Sequence, residues 1–353
     1  MERRHKIALY PGDGIGQEVV AEAVRVLHRL EVRDRGLHLE LTELPWGASY
    51  WQKTGRVVPE GFLGELRRFD AILLGAVGWP ATIPDHITLD PLKRIRQTFD
   101  QYACVRPAKL PRGVRCPLVG KNPGDIDLVV VRENSEGEYV DSGGRFRVGE
   151  PEEFALQTGI HTRRGVERVL RFGFDLARKR RKRLAMATKS NAQRYGYVLW
   201  DEILEELRPQ YPDVDSRREH ADAMLMNLVR RPESFDVIVA SNLFGDLLTD
   251  LSSLIAGGLG LAPSANLSPE RRAPSLFEPV HGSAPDIAGK GIANPIAAIA
   301  AAALMLDWLG EASAAQAIHN AIDSALAAGC ATPDLGGRLT TREMSDEVVS
   351  RLA

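Results

Sequence analysis

The stretch FDVIVASNLFGDLLTDLSSLIAGG, residues 235–258, decides the fold class and locates the first candidate site. Its opening run, residues 235–240, is apolar and predicts a buried strand. The leucines that follow recur at helical spacing, so a helix is expected directly after the strand. Asp246 and Asp250 are four residues apart and therefore share one face of that helix. Such a pair is typical either of a solvated surface or of a Mg²⁺ or Mn²⁺ site at the strand end.

Bulk properties describe an ordinary globular protein. A length of 353 residues predicts two domains, and the hydrophobic and charged fractions are 44% and 26%. A net charge of −2 argues against nucleic acid or a membrane surface as the main partner. Three scattered cysteines indicate neither a disulfide framework nor a zinc site. The charged start lacks the pattern of a signal peptide, so we expect a cytoplasmic protein.

Strand and helix patterns alternate along the chain. This order predicts an α/β fold with a largely parallel sheet. The chain from about residue 294 is expected to be helical, and the apolar stretch 292–306 is too interrupted for a membrane span. Residues 141–154 are expected to form a loop or a protruding hairpin. The predicted strands are residues 6–10, 71–74, 127–131, 184–187 and 235–240, and the clearest helices are residues 17–30 and 165–177.

Several charged side chains fall near strand ends, where ligands collect in open α/β sheets. Arg96, Arg106 and Arg132 are candidates for carboxylate binding, because a guanidinium can bind a carboxylate through two parallel hydrogen bonds. Lys189 and Tyr139 are further candidates, and partial burial would lower the pKa of a lysine enough for it to act as a base. Taken singly, each of these residues is more typical of an ordinary surface side chain.

Two other segments allow alternative interpretations. The loop 11–16, PGDGIG, resembles a phosphate-binding glycine loop but lacks the full dinucleotide-binding pattern, so its glycines could serve only a tight turn. The basic run 178–183 could bind nucleic acid, but its position at a predicted helix C-terminus favours a structural role.

The segment 276–294, LFEPVHGSAPDIAGKGIAN, is a long loop pattern between ordered elements. Long loops in compact domains are usually functional. His281, Gly282 and Ser283 could donate hydrogen bonds to a phosphate, and Asp286 could accept them from ribose hydroxyls.

Together these motifs resemble the isocitrate/isopropylmalate dehydrogenase family, the metal-dependent β-decarboxylating dehydrogenases of (R)-2-hydroxy acids. The resemblance extends over essentially the whole chain, with the motifs in family order. The motifs are GDGIG (12–16), LGAVG (74–78), VRENSEGEY (131–139), TKSN (188–191), NLFGDLLTDL (242–251) and EPVHGSAPDIAGKGIANP (278–295).

The resemblance implies a two-domain α/β fold with a non-Rossmann cofactor site and a cleft between the domains. Residues 1–101 and 257–353 would form the cofactor-binding domain, and residues 102–256 the substrate and dimerisation domain. An arm around residues 141–156 would clasp the partner of a homodimer with shared active sites.

The resemblance also implies roles for individual residues. The three arginines would bind substrate carboxylates, Tyr139 would be the acid that protonates the enol, and Lys189 of the partner subunit would be the base. Mn²⁺ or Mg²⁺ would be held by Asp246 and Asp250 together with Asp222 of the partner subunit, and a need for K⁺ stays open.

NAD is the implied cofactor. Asp286 and Ile287 stand where NADP-dependent relatives carry Lys-Tyr, and an acid there should accept a 2′-hydroxyl and repel a 2′-phosphate. The residues implied to contact the cofactor are His281, Gly282, Ser283, Ala284, Asp286, Ile287 and Asn294.

Substrate choice is expected to depend on a helix at residues 85–99, with Leu89, Leu92 and Lys93 facing the C3 substituent. Flanking motifs look closest to tartrate and D-malate dehydrogenases (decarboxylating), which act on small (R)-2-hydroxy diacids. Two alternatives stay open: 3-isopropylmalate, or a homoisocitrate-like tricarboxylate that uses Lys93. A non-catalytic regulatory subunit is disfavoured, because every expected catalytic position carries a suitable residue.

Overall fold

A computed structural model describes residues 3–352, and these residues form an α/β fold. The strands are β1 (Arg3–Gly12), β2 (Leu37–Glu43), β3 (Ala71–Ala76), β4 (Ala103–Lys109), β5 (Asp127–Glu133), β6 (Gly143–Phe146), β7 (Phe154–Gln157), β8 (Arg183–Thr188), β9 (Asp215–His220), β10 (Val237–Ala240), β11 (Pro263–Leu267) and β12 (Ser275–Pro279). The helices are α1 (Ile15–Arg33), α2 (Ala48–Thr54), α3 (Phe62–Leu66), α4 (Asp85–Thr88), α5 (Asp90–Thr98), α6 (Arg163–Arg178), α7 (Arg194–Leu207), α8 (Ala221–Arg230), α9 (Asn242–Ile255), α10 (Ile296–Trp308), α11 (Ala312–Ala327) and α12 (Thr341–Ser350).

Ten strands form one continuous sheet in the order β2-β1-β3-β12-β11-β4-β5-β10-β8-β9. Six of its nine strand pairings are parallel, in agreement with the predicted α/β class. The three antiparallel pairings lie at the centre, where β11 and β4 join the two parallel halves. The halves therefore run in opposite directions and meet at this pair of strands.

The chain is distributed over the two halves as blocks. Strands from residues 1–101 and 257–353 form the half that ends at β11, and strands from residues 102–256 form the half that begins at β4. The division of the chain into two domains stays a prediction, but its boundary coincides with the central β11–β4 contact.

Helices α1 and α10 provide the core of the first half. The apolar face predicted for α1 is buried, and α10 buries ten residues, so the stretch 292–306 contributes a core helix. Among residues 3–352, no helix is long and apolar enough to cross a membrane.

Residues beyond β5 form the expected protruding hairpin. Strands β6 and β7 pair antiparallel as a separate two-stranded sheet. The rings of Phe146 and Phe154 stack on its surface with centroids 4.9 Å apart, and both remain exposed. The hairpin therefore presents apolar side chains outside the core.

Two expected elements differ in detail from the structure. The predicted helix 85–99 is interrupted at Leu89, giving the short helices α4 and α5. In α9 the leucine pattern does not define the buried face, because Leu247 and Leu254 are 48% and 56% exposed. The buried face carries Gly245, where a Cβ would lie only 2.5 Å from Cγ of Arg132. Close packing of α9 against β5 therefore favours small residues there.

The basic run 178–183 is engaged in local ion pairs. Arg178 binds Asp213 at 2.7 Å, and Arg180 binds both Asp127 at 2.7 Å and Asp236 at 2.8 Å. These contacts join the end of α6 to the start of β5 and the loop before β10, which supports the structural interpretation over the nucleic-acid one.

Candidate active site

One cavity of about 220 Å³ collects most of the predicted site residues. It lies beside the central strands, between α5, α9 and the loop after β12. Its lining includes Leu92, Arg96, Arg106, Arg132, Tyr139, Asp246, Asp250, His281 and Gly282. The lining runs from Leu74 to Gly282, so residues 208 positions apart in the sequence are brought to one site, which no local pattern could establish.

The carboxylate of Asp246 is at the centre of the polar contacts in this cavity. Arg132, the penultimate residue of β5, is 1% exposed and forms an ion pair with Oδ1 of Asp246. Nη1 of Arg106 lies 3.3 Å from the same oxygen, and the Tyr139 hydroxyl donates to Oδ2 at 2.9 Å. The carboxylate is thereby held in one orientation by three groups from three different segments.

The two aspartates of α9 have opposite electrostatic environments. Burial works against ionisation of Asp246, but the charges of Arg132 and Arg106 outweigh burial and lower its pKa. Burial and the negative charge of Asp246 raise the pKa of Asp250. A cation between these carboxylates would relieve their mutual repulsion.

The arginines are positioned by buried polar side chains. Arg106 donates from Nε to Ser264 Oγ at 3.2 Å and from Nη1 to Thr249 Oγ1 at 2.7 Å. Arg132 donates from Nη2 to Asn242 Oδ1 at 2.6 Å. These hydrogen bonds fix the guanidinium groups before any ligand is bound, which reduces the entropy lost on binding.

Glu278 is a site residue that the sequence analysis did not single out. It lines the cavity, forms an ion pair with Arg96 at 3.0 Å, and accepts a hydrogen bond from Asn266 Nδ2 at 2.8 Å. A charged residue inside the otherwise apolar strand SLFEP was the available signal, because charged side chains are rarely buried without a partner. Arg96 is therefore partly neutralised and oriented by Glu278.

Lys189 and Asp222 do not reach this cavity within the same chain. They form an ion pair with each other, with Nζ 3.0 Å from Oδ2, and the Asp222 side chain is 64% exposed. Within residues 3–352, no three acidic, histidine or cysteine side chains come together as a metal site. The predicted metal set is thus incomplete in a single chain, with two of its three carboxylates at the cavity.

The three residues expected to set substrate choice separate into two groups. Leu89 and Leu92 line the cavity. Lys93 lies outside the lining and binds Asp90 on the same helix, with Nζ 2.9 Å from Oδ1. The part of α5 that faces the cavity is therefore apolar, apart from Arg96.

The glycine loop 11–16 serves mainly as a tight turn. Gly12 has φ +71°, and a Cβ there would lie 1.9 Å from the carbonyl oxygen of Ala76. The buried Asp13 accepts backbone hydrogen bonds from Ala48 at 2.6 Å and Gly78 at 2.8 Å. These contacts tie β1 to the segments after β2 and β3.

The same loop supports the segment implied to bind the cofactor. The backbone N–H of Ile15 donates to the carbonyl of Ser283 at 2.9 Å. Nδ1 of His281 is within 2.9 Å of the Gly282 carbonyl, whereas its Nε2 is buried without a partner. An unpartnered buried nitrogen beside an exposed glycine fits a loop that receives a polar ligand.

Other residues of this segment have different environments. Asp286 is exposed, and Ile287 and Ala284 are half-buried against the core. Asn294 accepts from the backbone N–H of Ile296 at 3.0 Å and donates to Asp334 at 3.1 Å. Asn294 therefore holds the start of α10, and contact with a cofactor stays a prediction for all of these residues.

Known proteins are similar to this chain over nearly its whole length. A family model described as isocitrate/isopropylmalate dehydrogenase matches residues 6–348. The chain is 49% identical to D-malate dehydrogenase (decarboxylating) from Escherichia coli strain K12 and 48% identical to tartrate dehydrogenase/decarboxylase from Pseudomonas putida. Each match covers 99% of this chain and 98% of the relative. Isocitrate dehydrogenase from Methylococcus capsulatus is structurally similar, with a TM-score of 0.88, 37% identity and 99% coverage of both chains.

The chain belongs to the isocitrate/isopropylmalate dehydrogenase family. The family match and the similar solved structure confirm the predicted fold, and the identities of 49% and 48% confirm the resemblance to the D-malate and tartrate enzymes. The protein is an oxidoreductase, and the names of its relatives support oxidative decarboxylation of a hydroxy acid.

The residues of this dehydrogenase fit a divalent cation. Asp246 and Asp250 offer oxygen ligands on one side of the cavity, and hard cations such as Mg²⁺ and Mn²⁺ prefer oxygen ligands. The exposed Asp222 remains available to a second molecule, since its contact in the single chain is the ion pair to Lys189. Asp246 and Asp250 therefore provide a partial donor set for such a cation at this cavity.

Proposed function

We propose that this dehydrogenase catalyses NAD- and divalent-metal-dependent oxidation of a small (R)-2-hydroxy diacid, tartrate or D-malate. Decarboxylation follows where the β-keto acid allows it. The observation that carries the proposal is the convergence of three arginines and two aspartates on one cavity of about 220 Å³. Such a site suits a compact dianion with a hydroxyl group.

Arg96, Arg106 and Arg132 would hold the two carboxylates of the substrate. Their guanidinium groups are preorganised, and Leu89 and Leu92 limit the space around C3. A small C3 substituent, hydrogen or hydroxyl, therefore leaves the fewest unfavourable contacts in this cavity.

Asp246 and Asp250 would hold the metal ion together with Asp222 of the partner subunit. When bound, the ion supplies Lewis-acid stabilisation for negative charge on the substrate oxygen. The pKa of Asp246 is lowered, so this aspartate is ionised at neutral pH and ready to bind a cation.

Lys189 of the partner subunit would take the proton of the substrate hydroxyl, and Tyr139 would return a proton to C3 after loss of CO₂. Burial and the neighbouring Asp246 raise the pKa of Tyr139, so its hydroxyl stays protonated at neutral pH. Tyr139 also lines the cavity, so its protonated hydroxyl would be within the site where the proposed substrate binds.

The adenosine part of NAD would be bound by the segment 281–287 together with Asn294. The unpartnered Nε2 of His281 and the exposed Asp286 supply a polar atom and an acceptor for it. When bound, NAD⁺ would be the acceptor for the hydride that leaves C2 of the substrate, so both electrons of the oxidation to a 2-keto acid would leave as NADH.

A homodimer with shared sites would complete the active site. In α8, Met226 is 66% exposed, and in the adjacent α9 Leu247 and Leu254 are exposed as well. These helices and the apolar hairpin offer surfaces that a second copy would cover. Packing of α8 and α9 against their partner copies would bring Lys189 and Asp222 toward the cavity of the other chain.

A substrate panel tests the proposed reaction. We expect D-malate or a tartrate to give the highest kcat/KM with NAD⁺ and Mn²⁺, ahead of 3-isopropylmalate, isocitrate and homoisocitrate, measured as NADH formation. Lys93→Leu should change these values by less than about three-fold, because Lys93 binds Asp90 outside the cavity lining. If a tricarboxylate gives the highest kcat/KM and the Lys93→Leu enzyme loses activity toward it, the proposed substrate is wrong.

Cofactor choice gives a second prediction. We expect kcat/KM for NAD to exceed that for NADP by at least about a hundred-fold, because the Asp286 carboxylate would face the 2′-phosphate. Replacing Asp286 with Lys and Ile287 with Tyr should reduce this ratio by about a hundred-fold, since attraction replaces repulsion. The control is Asp213→Lys, which also replaces a negative charge with a positive one, but elsewhere on the exposed surface. It should leave the ratio of kcat/KM for NAD to that for NADP unchanged.

A further inference from the structure

The proposed proton donor and the proposed metal ligand come from different segments. Tyr139 lies in the loop after β5, and Asp246 lies in the second turn of α9, yet their side chains meet at 2.9 Å. A hydrogen bond between two loosely connected segments would vary in length, so some other contact must hold the segments together.

Glu138 makes that contact. Its Oε2 accepts a hydrogen bond at 3.1 Å from the backbone N–H of Leu243, the second residue of α9. The side chain of Ser241, which precedes the helix, caps none of its N–H groups and instead lies 2.6 Å from the Tyr197 hydroxyl. The carboxylate of Glu138 therefore takes the role that a capping side chain usually has, and its charge is favourable at a helix N-terminus.

The second oxygen of Glu138 is also fixed. Oε1 accepts from the hydroxyl of the fully buried Tyr197 at 2.6 Å. The Tyr197 ring packs against His161 and Phe244, with ring centroids 5.3 Å away in each case. The buried Tyr197 side chain therefore fixes the position of the Glu138 carboxylate.

The backbone around Glu138 is pressed onto the same helix. Gly137 has φ +81°, and a Cβ there would lie 2.8 Å from Cβ of Asn242, the first residue of α9. The loop therefore approaches the helix closely at Gly137, is bonded to it through Glu138, and presents Tyr139 one residue later.

We propose that Glu138 is a positioning residue, which holds the Tyr139 hydroxyl against Asp246 by joining the Tyr139 loop to the first turn of α9. This inference rests on the proposed role of Tyr139 as proton donor. Glu138 is not among the residues that line the cavity, so its effect should appear in kcat and pass through Tyr139.

The experiment compares variants with the best acid of the substrate panel, NAD⁺ and Mn²⁺. Glu138→Ala should lower kcat by about 10- to 100-fold with KM changed less than about three-fold, since misplacement of a reacting group by about 1 Å costs this much. Glu138→Gln should recover to within about five-fold of wild type, because the amide still accepts from Leu243 and can donate to Tyr197.

Tyr139→Phe decides whether the effect passes through the tyrosine. In that background, adding Glu138→Ala should change kcat by less than about two-fold, whereas a merely structural defect would lower it again. Glu136→Ala is the matched control, because Glu136 is in the same loop but binds Thr162 at the start of α6. It should keep kcat near wild type.

The results for these variants distinguish a wrong assignment of Tyr139 as the proton donor from a wrong role for Glu138. If Tyr139→Phe keeps wild-type kcat, the donor assignment fails and the role of Glu138 fails with it. If Tyr139→Phe lowers kcat but Glu138→Ala does not, the role of Glu138 alone is overturned. The same holds if Glu138→Ala lowers kcat by the same factor in the wild-type and Tyr139→Phe backgrounds. Should Glu138→Ala not fold, Glu138→Asp replaces it, because the shorter carboxylate cannot reach both Leu243 and Tyr197. A normal kcat for Glu138→Asp would likewise overturn the proposal.

Discussion

Mixing two inactive variants, Lys189→Ala and Asp246→Asn, should restore about a quarter of wild-type activity. This result is expected from the proposed shared active site, in which Lys189 and Asp222 would serve the cavity of the partner subunit. Random re-association makes about half of the dimers mixed, and each mixed dimer holds one intact site and one site with both changes. The separation of the Lys189–Asp222 pair from the cavity in one chain motivates this expectation.

The measurement is NADH formation after the two variants are dissociated, mixed in equal amounts and re-associated. The control mixes Asp246→Asn with Asp250→Asn, because both changes affect the same side of the site and no mixed dimer holds an intact cavity. Absence of recovery in the first mixture, with dimers re-formed, would contradict shared sites.

Asp246→Asn alone should lower kcat/KM by at least about a thousand-fold. The amide lacks the anionic oxygen that would bind the proposed cation, so several kcal/mol of charge stabilisation at the substrate oxygen should be lost. It also removes the counter-charge of Arg132 and Arg106, whose guanidinium groups are buried next to it. The measurement is steady-state kinetics over a wide range of Mn²⁺ concentration.

The matched control for this change is Asp213→Asn. It removes one carboxylate charge from an ion pair with Arg178 in which both side chains are well exposed. Activity of this variant should stay within about two-fold of wild type, because exposed pairs contribute little. An Asp246→Asn enzyme that keeps more than a tenth of wild-type kcat/KM at saturating Mn²⁺ would exclude the metal role.

Much of the fold and part of the site follow from local sequence patterns. Apolar runs of strand length and the helical spacing in residues 17–30 predict elements that the structure contains. These elements are predictable because the spacing of apolar residues within a single segment shows which side chains are buried. Asp246 and Asp250 were found because an i, i+4 pair after a buried strand is visible within one helix. Arg132 is singled out by the sequence because it directly follows the predicted strand 127–131, although β5 itself extends to Glu133.

Other features depend on contacts between distant segments. The role of Glu278 as the partner of Arg96 comes from the register of β12 in the central sheet, which no single segment encodes. The outward position of Leu247 and Leu254 in α9 depends on the close approach of this helix to Arg132 at Gly245. The pairing of Lys93 with Asp90 depends on where α5 begins, since the predicted helix is interrupted at Leu89.

One measurement tests the central claim most directly: the stoichiometry of NADH and CO₂ formed from D-malate by the purified enzyme with NAD⁺ and Mn²⁺. We predict one NADH for each CO₂, loss of both products with a chelator, and recovery of both when Mn²⁺ is restored. Turnover of D-malate that is unaffected by the chelator, or CO₂ release without NADH, would contradict a metal-dependent oxidative decarboxylation at this site.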